Sequence, residues 1–263
     1  MSPRNLFRIP NVGRRVWHVW RRDYDVFLKT YKVNFIPPIL EPILYLAAMG
    51  FGLGVFVEMI GDKTFVEFLA PALLAISMMM AAFFECTYAS FVRMYYQKTF
   101  DAIVATPVNM DEVVAGEILW GATRCTIYST VMLAVVSLFG LVQYPTALLV
   151  IPLSFLAGLM FASFGMIFTA VTPNIESLNY PTSLVITPMF LLSGTFFPLD
   201  TLPQGAQYLA YSIVPLVHVV DISRACTYGD LELGLVWNLL WILAATVLFF
   251  LISVNLMKRR LVL

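Results

Sequence analysis

The stretch FLAPALLAISMMMAAFFECTYASFVRMYYQKTFDAIVATPV, residues 68–108, joins a long apolar run to a short half-polar segment. Up to residue 91 the run has a single charged residue, Glu85. About 20 mainly apolar residues are enough to cross a hydrocarbon core of roughly 30 Å. The run therefore predicts a membrane-spanning helix over 67–91, and the half-polar segment predicts that the chain then leaves the membrane.

The rest of the chain repeats this pattern. Of its 263 residues, 60% are hydrophobic and 12% are charged, which leaves too little polar surface to coat a soluble protein of this size. We predict an all-α polytopic membrane protein that forms one membrane domain over residues 1–263, with a cytoplasmic tail at 258–263. Its six predicted spans are 36–57, 67–91, 113–139, 147–171, 178–197 and 234–257.

The distribution of positive charge predicts the orientation. Eight of the sixteen Lys and Arg lie in residues 1–32, and three more lie in residues 258–260. Because cytoplasmic flanks are enriched in Lys and Arg, both termini are expected in the cytoplasm, which an even number of spans satisfies. Arg93 and Lys98 then lie on the cytoplasmic side, and Lys63 and Arg224 lie outside.

Residues 12–35, VGRRVWHVWRRDYDVFLKTYKVNF, have aromatic and aliphatic side chains at helical spacing. Arg15, Arg22 and Lys29 repeat every seven residues on another part of the helix. This pattern predicts an amphipathic interfacial helix, with its aromatic side in the membrane and its basic side toward anionic headgroups. A soluble cytoplasmic helix is the alternative.

Two apolar pieces between spans five and six, about 203–214 and 216–226, are each too short to cross a bilayer. Pro215 separates them, and non-helical backbone at membrane depth is tolerated only within protein or beside a wet cavity. We predict two short re-entrant helices that enter from the outer face.

Charges within or beside the predicted spans are candidates for functional positions, because ionisable groups inside a membrane are costly and usually face the bundle. They can pin neighbouring helices or contact a transported molecule, and the sequence leaves both open. Near the boundary of span one, a charge can also extend to the membrane surface. The charged residues within or beside the predicted spans are Glu41, Glu85, Arg93, Glu117 and Arg124.

The half-polar segment at 97–105 predicts a short amphipathic helix at the cytoplasmic face. Phe100, Ile103 and Val104 share one side of it, and Pro107 ends it. Asp111 and Glu112 then provide an acidic first turn for span three, where negative charge suits a helix N-terminus. The apolar side is expected to cover either the docking groove of a partner protein or lipid headgroups.

Several chemical motifs do not occur in the sequence. It has no GxxxxGK[ST], HExxH or GxSxG, and its three cysteines show no CxxC spacing. We therefore expect no metal site, no cofactor on this chain and no ATP hydrolysis by it. Two rival hypotheses are an intramembrane lipid-modifying enzyme with Glu85, Glu117 or Asp221 as general base, and a receptor-like protein whose loop binds a partner other than an ATPase.

Five segments in collinear order resemble the ABC-2 type exporter permeases, and most closely their NodJ-like subgroup. They are LEPILYLAAMGFGLG (40–54), the opening stretch (68–108), DEVVAGEILWGATR (111–124), NYPTSLVITPMFLLSGTFFPLDTLP (179–203) and VPLVHVVDISR (214–224). The resemblance implies a six-span half of an export channel that forms a homodimer. It also implies two copies of a cytoplasmic ABC ATPase, which use ATP and Mg, and an amphiphilic substrate such as a lipid-linked saccharide, a lipo-oligosaccharide, a lipid or a drug. The expected location is the bacterial inner membrane, among membrane lipids and without nucleic acid.

The resemblance also implies roles for particular residues. The residues of the coupling helix that contacts the ATPase would be Gln97, Lys98, Thr99, Phe100, Asp101, Ala102, Ile103, Val104 and Ala105. Those of the outer gate and the re-entrant helices would be Phe196, Phe197, Pro198, Pro215, His218 and Arg224. ATP binding would move the coupling helices and shift the channel between inward and outward openings by alternating access.

Overall fold

The computed structural model describes residues 8–52, 54, 56, 57, 59, 60 and 62–262, which form a helical bundle. Helices α1 (Val16–Asn34) and α2 (Ile36–Phe51) precede a small antiparallel ribbon of β1 (Met59–Ile60) and β2 (Lys63–Thr64). The helices that follow are α3 (Phe65–Phe84), α4 (Thr99–Val104), α5 (Met110–Leu138), α6 (Val150–Val171), α7 (Asn179–Pro181), α8 (Thr187–Leu191), α9 (Gln204–Ile213), α10 (Pro215–Tyr228) and α11 (Leu235–Val262).

Two of the long helices begin with a reciprocal cap. At the start of α3 the Glu67 amide donates to Thr64 Oγ1, and the Thr64 amide donates to Glu67 Oε2. Asn109 and Glu112 do the same at the start of α5, so the predicted acidic first turn of span three is confirmed. Each cap satisfies backbone donors that the first turn of a helix leaves open.

Four helical segments among the described residues are long and apolar enough to cross a membrane. They are Phe65–Tyr96, Met110–Leu138, Thr146–Val171 and Leu235–Leu261. The first includes two π-helical turns that extend α3, and the third includes a 3₁₀ turn before α6. These segments correspond to predicted spans two, three, four and six.

The predicted first and fifth spans are helical over shorter lengths. Helix α2 has 16 residues, about 24 Å at 1.5 Å per residue, against a hydrocarbon core of roughly 30 Å. The last five residues of predicted span one, 53–57, lie partly outside the described residues. Residues 179–191 form α7, a π-helical turn and α8, and their prolines, Pro181 and Pro188, each remove a backbone donor.

Helices α3, α5 and α11 pack around α6, because small residues let their backbones approach closely. A Cβ on Gly158 would lie 2.8 Å from the Ala122 Cα, and one on Gly165 would lie 2.9 Å from the Phe83 carbonyl oxygen. Association of helices in lipid depends on such packing rather than on hydrophobic burial. The close approach of α6 to α5 and α3 therefore depends on glycine at these two positions.

The two ends of the bundle differ. At the ribbon end, which holds β1 and β2, the Gln143 amide donates to the Thr227 carbonyl and the Tyr228 hydroxyl donates to the Glu67 carbonyl. This joins the α5–α6 loop, the end of α10 and the start of α3. Chain direction then puts α1, α4 and the C-terminal part of α11 at the opposite end, the α4 end.

An extended N-terminal strap, residues 8–13, crosses the α4 end. The Asn11 amide donates to Asp111 Oδ2 at 3.0 Å, and the Gly13 amide donates to Glu112 Oε1 at 3.2 Å. From α11, Lys258 Nζ also donates to Asp111, at 3.1 Å. The first turn of α5 thus ties the N-terminal strap and the C-terminal helix to the bundle.

The helices predicted around Pro215 are present as α9 and α10, which bend by 92° between Ile213 and Pro215. Pro215 is the first residue of α10 rather than a separator, since its missing N–H costs nothing there. The pair is either one broken span or a re-entrant element by length and composition.

Candidate functional site

Two π-helical turns carry charged residues at the α4 end of α3. The turns Glu85–Ala89 and Val92–Tyr96 have i→i+5 hydrogen bonds, a geometry that often marks functional sites. Arg93 Nη1 donates to Glu85 Oε1 at 2.8 Å, so the acid of the first turn meets the base of the second.

Helix α5 adds a second acid on the other side of the same guanidinium. Arg93 Nη2 and Nε donate to Glu117 Oε2 at 2.6 and 2.9 Å. Ser90 Oγ donates to the same oxygen at 2.7 Å. Arg93 therefore bridges two carboxylates, one from its own helix and one from α5.

A second arginine, Arg124 on α5, binds the other carboxylate oxygen of Glu85. Arg124 Nη1 donates to Glu85 Oε2, and Trp120 Nε1 donates to Glu85 Oε1 at 3.0 Å. The Arg124 guanidinium also donates to the Tyr128 hydroxyl at 2.8 and 3.2 Å. Both oxygens of Glu85 are therefore held by donors.

Helix α1 closes the network from its own side of the bundle. Arg22 Nη2 donates to Glu117 Oε1 at 2.9 Å and to Asp23 Oδ1 at 2.5 Å. Asp23 Oδ2 is buried without a hydrogen-bond partner among the described residues. Burial, together with the nearby charge of Glu117, raises the pKa of Asp23 from 3.8 to about 7.

The network is balanced in charge but uneven in exposure. The side chains of Asp23, Glu85 and Glu117 are 4%, 1% and 0% exposed. Those of the three arginines are 28%, 16% and 27% exposed, in the order Arg22, Arg93, Arg124. The acids therefore lie beneath the guanidinium groups, which form most of the exposed part of the network.

Sequence analysis identified most of these residues but not their arrangement. Glu85, Arg93, Glu117 and Arg124 lie in one network, whereas Glu41 lies apart on α2 with its side chain exposed. The contributions of Arg22, Asp23 and Trp120 were missed. The prediction that Arg22 faces anionic headgroups is wrong, because its guanidinium group pairs with the buried Glu117 of α5. The local sequence around Arg22 does not show that an acid on another helix lies beside it.

Two cavities meet at this network. One of about 590 Å³ lies between α2, α3 and α5, and one of about 520 Å³ lies between α1 and the end of α3. Glu85, Tyr88, Ala89 and Arg124 line both cavities. Glu41 lines the larger one.

Helix α4 lies next to the network and begins three residues after the end of the second π-helical turn. Lys98, in a left-handed conformation with φ 53°, turns the chain into α4. Phe100 is 0% exposed, so its side chain anchors α4 to the chain's own bundle and does not seat in a partner as predicted. Ile103 and Thr99 are partly buried. The outward face consists of Gln97, Lys98, Asp101, Ala102, Val104 and Ala105.

The predicted outer residues gather at the ribbon end. Arg224 Nη2 donates to the Gly194 carbonyl at 2.6 Å, and its guanidinium lies 4.0 Å from the Phe68 ring centroid. Phe196 packs edge-to-face on Phe190 at 5.0 Å. Phe197 and Pro198 are partly buried and Pro215 is buried.

His218 is buried in this same region and is fixed by its neighbours. Its Nδ1 lies 2.9 Å from Asn238 Oδ1 and its Nε2 lies 3.0 Å from the Tyr211 carbonyl oxygen. Its ring stacks on Trp241 with 4.4 Å between centroids. These contacts give His218 a role in packing α10 against α9 and α11.

Two of the three carboxylates considered as general bases, Glu85 and Glu117, are poorly placed for that chemistry. Arginine side chains bind both Glu85 and Glu117, and a carboxylate that accepts charged donors gains little by taking a substrate proton. Asp221 accepts a longer bond of 3.4 Å from Asn238 Nδ2. The geometry thus gives no support to an intramembrane enzyme with Glu85 or Glu117 as its base.

Comparisons with known proteins identify the family of the chain. A family model described as ABC-2 type transporter matches residues 14–228. The chain is 35% identical over 261 residues to nodulation protein J of Rhizobium leguminosarum bv. trifolii, covering 99% of each. It is 34% identical over 253 residues to nodulation protein J of Rhizobium leguminosarum bv. viciae, covering 96% of this chain and 97% of that one.

A more distant relative is the inner membrane transport permease YadH of Escherichia coli K12. It is 22% identical over 244 residues, 92% of this chain and 93% of that one. The family model covers most of the chain, and relatives more than 30% identical extend over nearly all of it. With several apolar helices of spanning length and a matching family domain, the chain belongs to the ABC-2 type transporter family as a multi-pass membrane permease.

Proposed function

We propose that this chain is the membrane subunit of an ATP-driven exporter in the bacterial inner membrane. Two copies form the channel, and two copies of a separate cytoplasmic ATPase use ATP and Mg to drive it. The cargo is an amphiphile that moves from the cytoplasmic side outward by alternating access. The inner membrane is proposed because YadH, a relative, is named as a transport permease of that membrane.

The observation that carries the proposal is the position of α4. It is a six-residue helix at the end of the bundle, with Phe100 buried beneath it and Asp101 and Val104 exposed above it. A short helix fixed on one side and open on the other suits a docking surface for the ATPase. The receptor-like alternative uses the same surface for another partner, and cross-linking from Lys98 separates the two.

The ion network supports a route from this surface into the bundle. Arg93 lies six residues before α4 and binds Glu85 on α3 and Glu117 on α5, while Arg22 links Glu117 to α1. A displacement of α4 can therefore be transmitted through these ion pairs to α1, α3 and α5. An ATPase can shift the channel between its inward and outward openings only if it binds the two states with different affinity. The ion pairs offer a path by which binding at α4 can affect the bundle.

Chain direction supports six membrane passages. Helix α2 leads from α1 at the α4 end toward the ribbon, and residues 179–191 lead from Tyr88, which donates to Asn179 Oδ1, toward Gly194 near Arg224. We propose that both are short spans, that the two termini are cytoplasmic, and that α9 and α10 form a re-entrant outer gate with Phe196, Phe197 and Pro198 beside it.

The test is to purify the chain together with the ATPase subunit encoded beside its gene. The complex should show ATP hydrolysis that vanadate inhibits, and Asp101→Arg should lower its coupling to transport while the permease still inserts and folds. Glu232→Arg, an equal change of charge at an exposed position of the ribbon end, is the matched control and should leave coupling unchanged. If no ATPase co-purifies, or if both variants behave alike, the proposal fails.

A further inference from the structure

The two cavities differ in the chemistry of their walls. The larger has an apolar wall that suits hydrocarbon, formed by Leu73, Ile76, Met80, Phe84, Met132 and Phe190. The smaller is lined by all three arginines of the network. Because Glu85, Tyr88, Ala89 and Arg124 line both, one elongated molecule can occupy the two cavities together.

The smaller cavity presents positive charge. Its acids are buried under the guanidinium groups, as the exposures of Glu85 at 1% and Arg124 at 27% illustrate. The acids hold the arginines in place before a ligand arrives, which lowers the cost of ordering them on binding. Guanidinium groups bind phosphate, sulfate and carboxylate through paired hydrogen bonds.

We propose that the two cavities form one site for an anionic amphiphile. Its phosphate, sulfate or carboxylate head meets Arg22, Arg93 and Arg124, and its hydrocarbon chain lies among the apolar residues between α2, α3 and α5. The proposal rests on the proposed function only in taking this amphiphile as the cargo. Binding itself requires no ATPase.

Size and selectivity agree with such a ligand. A volume of about 590 Å³ falls within the roughly 300–1,000 Å³ typical of ligand pockets. Lipid tails are as apolar as the wall of the cavity, so a hydrocarbon chain can leave the bilayer for the cavity at little cost, whichever head it carries. The head must therefore determine which amphiphiles bind, and the sign of its charge is the property to test.

The experiment uses the purified chain alone, in nanodiscs of neutral phosphatidylcholine. Two photoreactive probes carry the same diazirine-bearing decyl chain, one ending in a phosphate monoester and the other in trimethylammonium. The phosphate probe should label peptides containing Met80 or Met132 at least about tenfold more than the ammonium probe, and added salt should weaken it. Equal labelling by the two probes overturns the proposal.

Two variants locate the site. Arg124→Gln should lower labelling by the phosphate probe about tenfold. Ala89→Leu should do the same, because Ala89 lines both cavities and a larger side chain there would obstruct the space between them. Ala134→Leu, at an exposed position of α5, is the matched control and should label as wild type. Where Arg124→Gln elutes as an aggregate, Ser77→Leu replaces it, because Ser77 lines the apolar cavity away from the ion pairs. Unchanged labelling in both Ala89→Leu and Ser77→Leu overturns the proposal.

Inorganic phosphate distinguishes an amphiphile from a free anion. If it displaces the probe at the same concentration as unlabelled decyl phosphate, the apolar cavity contributes nothing and the proposal is overturned. Displacement by decyl phosphate alone supports it. Since no ATPase is present, failure here leaves the vanadate test of the proposed function unaffected.

Discussion

Arg93 is the residue on which the network depends, because it lies between Glu85 and Glu117. Removing one partner of a buried ion pair leaves uncompensated charge, which costs about 3–5 kcal/mol. We expect Arg93→Met to lower the free energy of unfolding by about 3 kcal/mol, measured by SDS titration in mixed micelles. Arg14→Met, at an exposed position in the N-terminal part of the chain, should change it little. Equal effects of the two substitutions would contradict the bridging role.

Asp23 should make the stability depend on pH. Its pKa of about 7, against 3.8 unperturbed, means that the folded chain holds a proton between these values that the unfolded chain has released. The contribution of Asp23 to the free energy of unfolding is therefore greatest below about pH 4. It falls as the pH rises to about 7 and is then constant. Asp23→Asn should remove this slope, so that the variant gains stability relative to wild type at about pH 8 more than at about pH 5. Thermal unfolding of both proteins at the two pH values measures this difference. An equal difference in unfolding temperature at the two pH values would contradict the raised pKa of Asp23.

Contact between α1 and α5 depends on the absence of a side chain at Gly116. A Cβ there would lie 2.6 Å from the Val19 Cβ. Overpacking costs about 1–3 kcal/mol, so Gly116→Val should lower the thermal unfolding temperature. Val19→Gly, which removes the Cβ and Cγ1 that the new side chain would meet, should partly restore it. Gly205→Ala on α9, where nothing lies within 4 Å, is the control and should be neutral. Absence of rescue would show that the two helices do not meet at this point.

Helix α4 has an inward and an outward face, and substitutions should separate them. Phe100→Ala is expected to cost about 3–5 kcal/mol of stability because it empties a buried site. Val104→Ala, at a position 39% exposed, should leave stability unchanged and weaken binding of the ATPase. Unfolding measurements and co-purification yields distinguish the two effects. A large loss of stability for Val104→Ala would show that α4 is buried on both sides.

At the scale of the whole molecule, orientation is the property still to be measured. With six passages, a cysteine replacing Asp101 is reached by a membrane-impermeant maleimide only from the cytoplasm, and one replacing Asp230 only from outside. The native cysteines Cys86, Cys125 and Cys226 are buried and should give a low background. Labelling of both positions from the same side of the membrane would contradict six passages and the placement of the termini.

Much of the fold was predictable because it follows from local composition. Long apolar runs mark helices that must satisfy their own backbone in lipid, and spans two, three, four and six appear close to their predicted positions. The predicted spans one and five are shorter as helices. Helix α2 ends before Gly52, and residues 179–191 contain Pro181 and Pro188, each of which removes a backbone donor that a composition count ignores. The amphipathic character of 97–105 was also visible in the sequence. The sequence did not show that the face carrying Phe100 packs against the chain's own bundle.

The sequence by itself determined that this is a helical membrane protein, where its charges lie along the chain, and through collinear motifs which family it belongs to. These properties depend on residues near one another in sequence. Only the tertiary structure decided that Arg22 and Asp23 join Glu85, Arg93, Glu117 and Arg124, and that two cavities meet there. Partners of a buried charge are chosen by the packing of separate helices, and a linear pattern carries no record of that packing.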